Sequence, residues 1–144
     1  MALPKITQPE FEITLPVIKK KIKFRPFLVK EEKILLVGKE GSPTDQLGSM
    51  VQILKNVVTS PKNFNPSDLT ITDIEYLFMN LRGKSVDNMV KLKYKDVEDE
   101  LAYDFEVDIN DVQPTFAEDR SYEIPVGELT LQLKDPTLAV IRET

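Results

Sequence analysis

Gly83-Lys84-Ser85 ends the way a phosphate-binding loop ends, and in such a loop backbone N–H groups and the lysine cradle the phosphates of a nucleotide. That chemistry needs a second glycine five residues earlier and a strand in front of the loop. Phe78 stands at the glycine position, and the residues before Gly83 place apolar groups at Ile71, Ile74, Leu77, Phe78 and Leu81. Spacings of three and four belong to an amphipathic helix. The tripeptide is therefore expected to be a helix terminus, with Gly83 as its left-handed C-cap.

Other catalytic devices are ruled out by composition. The chain has no Cys, no His and no Trp, which removes disulfides, Cys/His zinc sites, cysteine nucleophiles and Ser-His-Asp triads. Carboxylates, lysines and tyrosines remain. A carboxylate pair could hydrolyse glycosides, but 24 acidic residues scattered over the chain bring two together by chance. A carboxylate hydrolase is thus the least favoured reading, and no catalytic, cofactor-binding or metal-binding residue is nominated. The net charge of −5 argues against general nucleic-acid binding. A local exception would be Lys19, Lys21, Lys23 and Arg25, which alternate with apolar residues and would line one face of a strand about 6.6 Å apart. They could grip nucleic acid or an acidic protein. The favoured reading is a solvated face in which lysines protect an edge strand, partly neutralised by Glu10 and Glu12.

At 144 residues the chain has the size of one ordinary domain, with 41% apolar and 30% charged residues. No apolar run approaches the roughly 18 residues of a membrane span. The start carries Pro4 and Pro9 and no continuous apolar segment, so it reads as an extended arm over residues 1–10, made in the cytosol. Residues 11–135 are expected to form a single α+β domain, with an N-terminal β-hairpin, about three helices in the middle and antiparallel β-hairpins after them. Phe11, Ile13 and Leu15 alternate in the first strand, Ile18, Ile22 and Phe24 in the second. A short helix follows Pro26 and closes at Gly38 or Gly41, its first turn carrying Glu31 and Glu32 to complement the helix dipole. The next helix has Ser42 as N-cap, Pro43 at its first position and Asp45 completing a capping box. Its stripe runs from Leu47 to Val58, and Pro61 stops it. Thr70 or Thr72 caps the third helix.

Beyond Ser85 the period changes to two. Val90, Leu92 and Tyr94 alternate with lysines, and Tyr103, Phe105 and Val107 alternate with acids. Pairing Tyr94 with Tyr103 also sets Leu92 opposite Phe105, Lys93 opposite Asp104 and Lys91 opposite Glu106, so charge selects this register. After a polar loop over residues 117–121, Tyr122, Ile124 and Val126 pair with Leu129, Leu131 and Leu133 across a turn at Gly127 and Glu128. Residues 136–144 read as the start of a helix capped by Thr137, either a truncated extension or a segment ordered against a partner.

Three blocks carry a family resemblance: Met1-Ala2-Leu3-Pro4-Lys5, Lys23-Phe24-Arg25-Pro26-Phe27-Leu28-Val29-Lys30-Glu31-Glu32-Lys33, and Asp73 to Ser85. With them the chain resembles the T4-type bacteriophage baseplate hub protein family over most of its length. The resemblance implies a non-enzymatic hub subunit or hub-assembly factor of a contractile tail, located in the virion baseplate or in the host cytoplasm during assembly. Its partners would be other tail or baseplate hub proteins. Members continue into a further helical C-terminal portion, in keeping with a helix that starts near residue 138.

The resemblance transfers no binding residues, so contact surfaces are nominated from the chain. One is the arm with Leu3, Pro4 and Lys5. Another is the segment from Arg25 to Lys33 with Phe27, next to Lys21 and Lys23. The third is the helix face carrying Asp73, Tyr76, Asn80 and Arg82.

Overall fold

The computed structural model describes residues 7–116 and 121–143. In chain order the elements are β1 (Phe11–Thr14), β2 (Lys21–Phe24), α1 (Val29–Lys39), α2 (Pro43–Val57), β3 (Val58–Ser60), α3 (Ile71–Ser85), β4 (Met89–Lys95), β5 (Ala102–Asp108), β6 (Glu123–Val126), β7 (Leu129–Gln132) and α4 (Leu138–Glu143). The class is α+β as expected, with a sheet first, helices in the middle and antiparallel strand pairs after them.

β1 and β2 pair in antiparallel register with Phe11 opposite Phe24 and Ile13 opposite Ile22. A third strand, β3, joins on the other side of β2, so β2 is the centre of the sheet and its lysines guard no edge. Val58 continues the apolar stripe of α2, which is why sequence periodicity carried the helix on to Pro61. The helix in fact ends at Val57, and the N–H of Val58 still closes onto the Leu54 carbonyl before the chain turns extended.

Apolar alternation in the sheet and the i, i+3, i+4 stripes of α2 and α3 converge on one core. Ile22, Phe24, Ile53, Leu54, Val57, Ile74, Leu77 and Leu81 are all buried there. Ser42 caps α2 through its hydroxyl and Asp45 returns the bond to the Ser42 N–H at 2.9 Å, the reciprocal box read from the sequence. Where α1 crosses α2, a Cβ on Gly38 would run into the Ser49 hydroxyl, so the close approach depends on a missing side chain.

Two buried carboxylates tie distant parts of this body together. Thr70 caps α3 by accepting the Asp73 N–H, and its hydroxyl donates to the Asp73 carboxylate at 3.0 Å; that carboxylate also accepts the backbone N–H of Val17 at 2.8 Å and of Ile18 at 3.3 Å. It thereby fixes the β1–β2 connection onto the start of α3. It is fully buried, so it does not belong to the contact face nominated on this helix from the sequence. Glu31 lies in the first turn of α1 as expected, but it is also buried and paired with Arg25 at 3.0 Å.

Gly83 departs from expectation too. The helix runs through it to Ser85, and the N–H of Val86 bonds the Arg82 carbonyl, so Gly83 is helical and is no left-handed cap. Gly127, with φ of +63°, does use the freedom of glycine, at the first position of the two-residue turn between Val126 and Leu129. After β7 the chain returns to the body: Leu138 is buried in the core, and its N–H donates to the Leu69 carbonyl at 2.8 Å.

Candidate docking surface

The β4–β5 hairpin has the register that its charges select, with Tyr94 opposite Tyr103, Leu92 opposite Phe105, Lys93 opposite Asp104 and Lys91 opposite Glu106. Two ion pairs accompany it, Lys91–Glu106 at 3.7 Å and Lys93–Asp104 at 3.5 Å. Carboxylates organise its tip. Asp96 accepts the N–H of Glu98, Asp99 accepts the N–H of Leu101, and Glu100 takes a positive φ of 60° between them. The Tyr103 hydroxyl also donates to Asp99, which holds that carboxyl below the usual aspartate range, with the Leu101 N–H acting the same way. At the base, the Asn88 amide donates to Asp108 at 2.8 Å and the Ile109 N–H donates to the Asn88 carbonyl at 2.8 Å. Bonds to the Asn110 N–H and the Asn88 side chain lower the Asp108 carboxyl as well. Ile109 itself is buried next to the end of α3.

Among the described residues nothing covers this hairpin. Leu92 is 43% exposed, Phe105 45% and Tyr94 56%, although all three stand on the apolar face together with Tyr103. Charges occupy the opposite face, so the exposed apolar side is a built feature of the strand alternation. The second hairpin is similar, with Ile124, Val126, Leu129 and Leu131 all exposed.

Toward its base the apolar face of β4–β5 runs into an open groove of about 530 Å³. Phe27, Phe78 and Met79 form the side of the groove on the body, and Val90, Leu92 and Val107 form its side on the hairpin. Phe27 is set there by its backbone, whose N–H donates to the Ser85 hydroxyl at 3.0 Å, while that hydroxyl donates to the Leu81 carbonyl at 2.6 Å. Arg82 stands at the rim, its exposed side chain without an ion-pair or hydrogen-bond partner among the described residues. A second groove of about 390 Å³ shares Leu35 and Phe78 with the first and continues over Leu36 and Met50. Hairpin face and grooves together make an apolar strip rimmed by charge, a composition that suits a protein contact.

The nominated residues fall in different places. Phe27 and Arg82 come together at the groove. Tyr76 is half-buried on α3 and does not line it. Lys21 and Lys23 are exposed on the outer face of β2, Lys21 pairing with Glu12 at 3.5 Å. The four-cation stripe does not form. Lys19 sits in the turn before β2 with φ of 55°, its ammonium 5.6 Å from the Phe116 ring. Arg25 follows the end of β2 and turns inward to Glu31, the Pro26 carbonyl and the Asn56 carbonyl. Leu3, Pro4 and Lys5 lie outside the described residues, as does most of the loop over 117–121. In the Gly-Lys-Ser tripeptide, Lys84 lies over the Phe11 ring at 5.3 Å and Ser85 bonds back to its own helix. Among the described residues no group of three or more acidic side chains is placed to hold a metal ion, and no helix is long and apolar enough to cross a membrane.

Sequence reasoning missed the hairpin as a surface. Its alternation was visible, but alternation shows which face is apolar without showing whether anything packs on it.

Comparison with known proteins bears on what such a surface is for. The sequence model of a family described as T4 bacteriophage base plate protein matches residues 8–144. No curated protein and no solved structure matches the chain.

Proposed function

Since the chain belongs to the T4 bacteriophage base plate protein family and is a structural component of a phage baseplate, we propose that it is a non-enzymatic hub subunit or hub-assembly factor of a contractile tail. It works by protein–protein contacts with other tail or baseplate hub proteins, in the virion tail baseplate or in the host cytoplasm during assembly. The observation that supports this most is the continuous apolar strip formed by the β4–β5 face and the groove at its base. An isolated chain gains nothing from leaving Leu92, Tyr94, Tyr103 and Phe105 half in water. A neighbour that covers them recovers about 25 cal/mol for each Å² of apolar surface removed from solvent. Phe27 and Arg82 fall within this surface, and Tyr76, Lys21 and Lys23 serve at most its surroundings.

The test is co-purification of tagged chain with the baseplate proteins of its phage, comparing native protein with Leu92→Asp/Phe105→Asp. Retention of hub proteins by the native chain and its loss in the variant, with an unchanged thermal transition, is expected. Equal retention by both would remove the hairpin from the contact. Retention of no baseplate protein by either would remove the reading itself.

A further inference from the structure

The two strands of the β4–β5 hairpin differ in sign. β4 carries Lys91, Lys93 and Lys95 and no acid, whereas β5 carries Asp104, Glu106 and Asp108 and no base. Pairing within the hairpin requires only that opposed residues be opposite in charge, and a mixed order of lysines and acids along each strand would meet that need equally well. Segregation by strand does something more, because it gives each outer edge a single sign. Both edges are open, since no third strand pairs with β4 or β5 among the described residues. A two-stranded hairpin standing alone is marginal in water, and a third strand is the usual remedy.

Resting on the reading that this protein acts through protein contacts, we propose that the hairpin docks on a second copy of the chain, the acidic β5 edge of one copy accepting the basic β4 edge of the next. Charge decides the geometry. Pairing β4 with β4 opposes lysine to lysine, and pairing β5 with β5 opposes acid to acid; like charges directly opposite destabilise a strand pair. Only β5 against β4 is complementary, and it continues the antiparallel alternation of the hairpin. The contact is head to tail and uses two different surfaces, so copies add into a ring or an open row and do not stop at a symmetric pair. Each addition also widens the apolar face available to other proteins.

The experiment is sedimentation velocity of the full chain over a concentration series, native protein beside two variants. Native chain is expected to associate with concentration, less so at high salt. Lys91→Glu/Lys93→Glu/Lys95→Glu makes both edges acidic and is expected to abolish association. The exchanged variant, Lys91→Glu/Lys93→Glu/Asp104→Lys/Glu106→Lys, keeps the pairs within the hairpin and guards against loss of folding. It is expected to associate with itself and not with the native chain, because every mixed junction sets like charges together. Because the protein has no cysteine, Lys93→Cys and Asp104→Cys chains can be mixed and oxidised, and a dimer crosslinked between the two types is expected. A native chain that stays monomeric, free mixing of native and exchanged chains, or crosslinking only between identical types would each overturn the proposal. A monomeric chain that still retains baseplate proteins would do so while leaving the proposed function standing.

Discussion

β2 reads Lys-Ile-Lys-Phe and the middle of β4 reads Lys-Leu-Lys-Tyr, yet Ile22 is 1% exposed while Leu92 is 43% exposed. Each strand alternates cations with apolar groups, and each has an antiparallel neighbour in the expected register. They differ in what lies over the apolar face. Ile22 and Phe24 meet the stripes of α2 and α3, whereas Leu92 and Tyr94 belong to no buried cluster and stand half in water. Alternation fixes which side of a strand is apolar, and a second layer decides whether that side becomes a core or a surface.

The largest expected effect that separates the two strands is loss of an aromatic ring. Phe24→Ala should destabilise the chain by about 3–5 kcal/mol, because a buried ring leaves a cavity. Phe105→Ala should cost about 1 kcal/mol or less in the isolated protein. Urea denaturation of both variants measures the contrast, and equal losses would mean that the hairpin shares the core.

Ion pairs should divide the same way. Removing Arg25 strands the buried Glu31 carboxylate, at a cost of about 3 kcal/mol. Lys93→Ala breaks an exposed pair and should cost about 0.2–1 kcal/mol. Acid should report on the same carboxylate. Burial pushes the Glu31 carboxyl up, but the Arg25 hydrogen bond, the Leu28 N–H and the charges of Arg25 and Lys30 together bring it below the ordinary glutamate range. A lowered folded-state value contributes stability that is full above the unfolded-state value and lost as pH falls through the folded one. Thermal melts down the acid limb should therefore fall more steeply for native protein than for Arg25→Ala.

The smallest effect concerns Gly83. In a helix interior Ala is better than Gly by about 0.5–1 kcal/mol, and a Cβ there would meet Ile109 and Asn88 at ordinary contact distances of 3.7 and 3.8 Å. Gly83→Ala should raise the melting temperature slightly. A loss would point back to the left-handed cap that the sequence suggested.

These particulars show where the sequence was legible. The capping box of α2, the β4–β5 register and the turn at Gly127 rest on local chemistry, and all three stand in the fold. β3 was invisible because three residues are too few for a period and the first of them, Val58, extends a helical stripe. Arg25 has the parity of the lysines, but strand parity lapses where β2 ends, and the partner that draws it inward lies on another element. Asp73 was placed on a contact face although its distance of three from Thr70 marks a cap; its other partners, at Val17 and Ile18, are far away in sequence. The groove combines α3, the hairpin and the segment at Phe27, a combination that no periodicity reports.

α3 has a mechanical consequence. The chain leaves its C-terminal end at Ser85, makes both hairpins, and is tied back beside its N-terminal end, where Thr137 bridges Thr70 and Leu138 bonds Leu69. Its 15 residues span about 22 Å at 1.5 Å each. Both hairpins are thus slung between the two ends of one rod whose inner stripe is buried. A pull on them is shared between two anchor points and runs along the rod as shear, where many side chains resist at once, instead of peeling the fold open from one end.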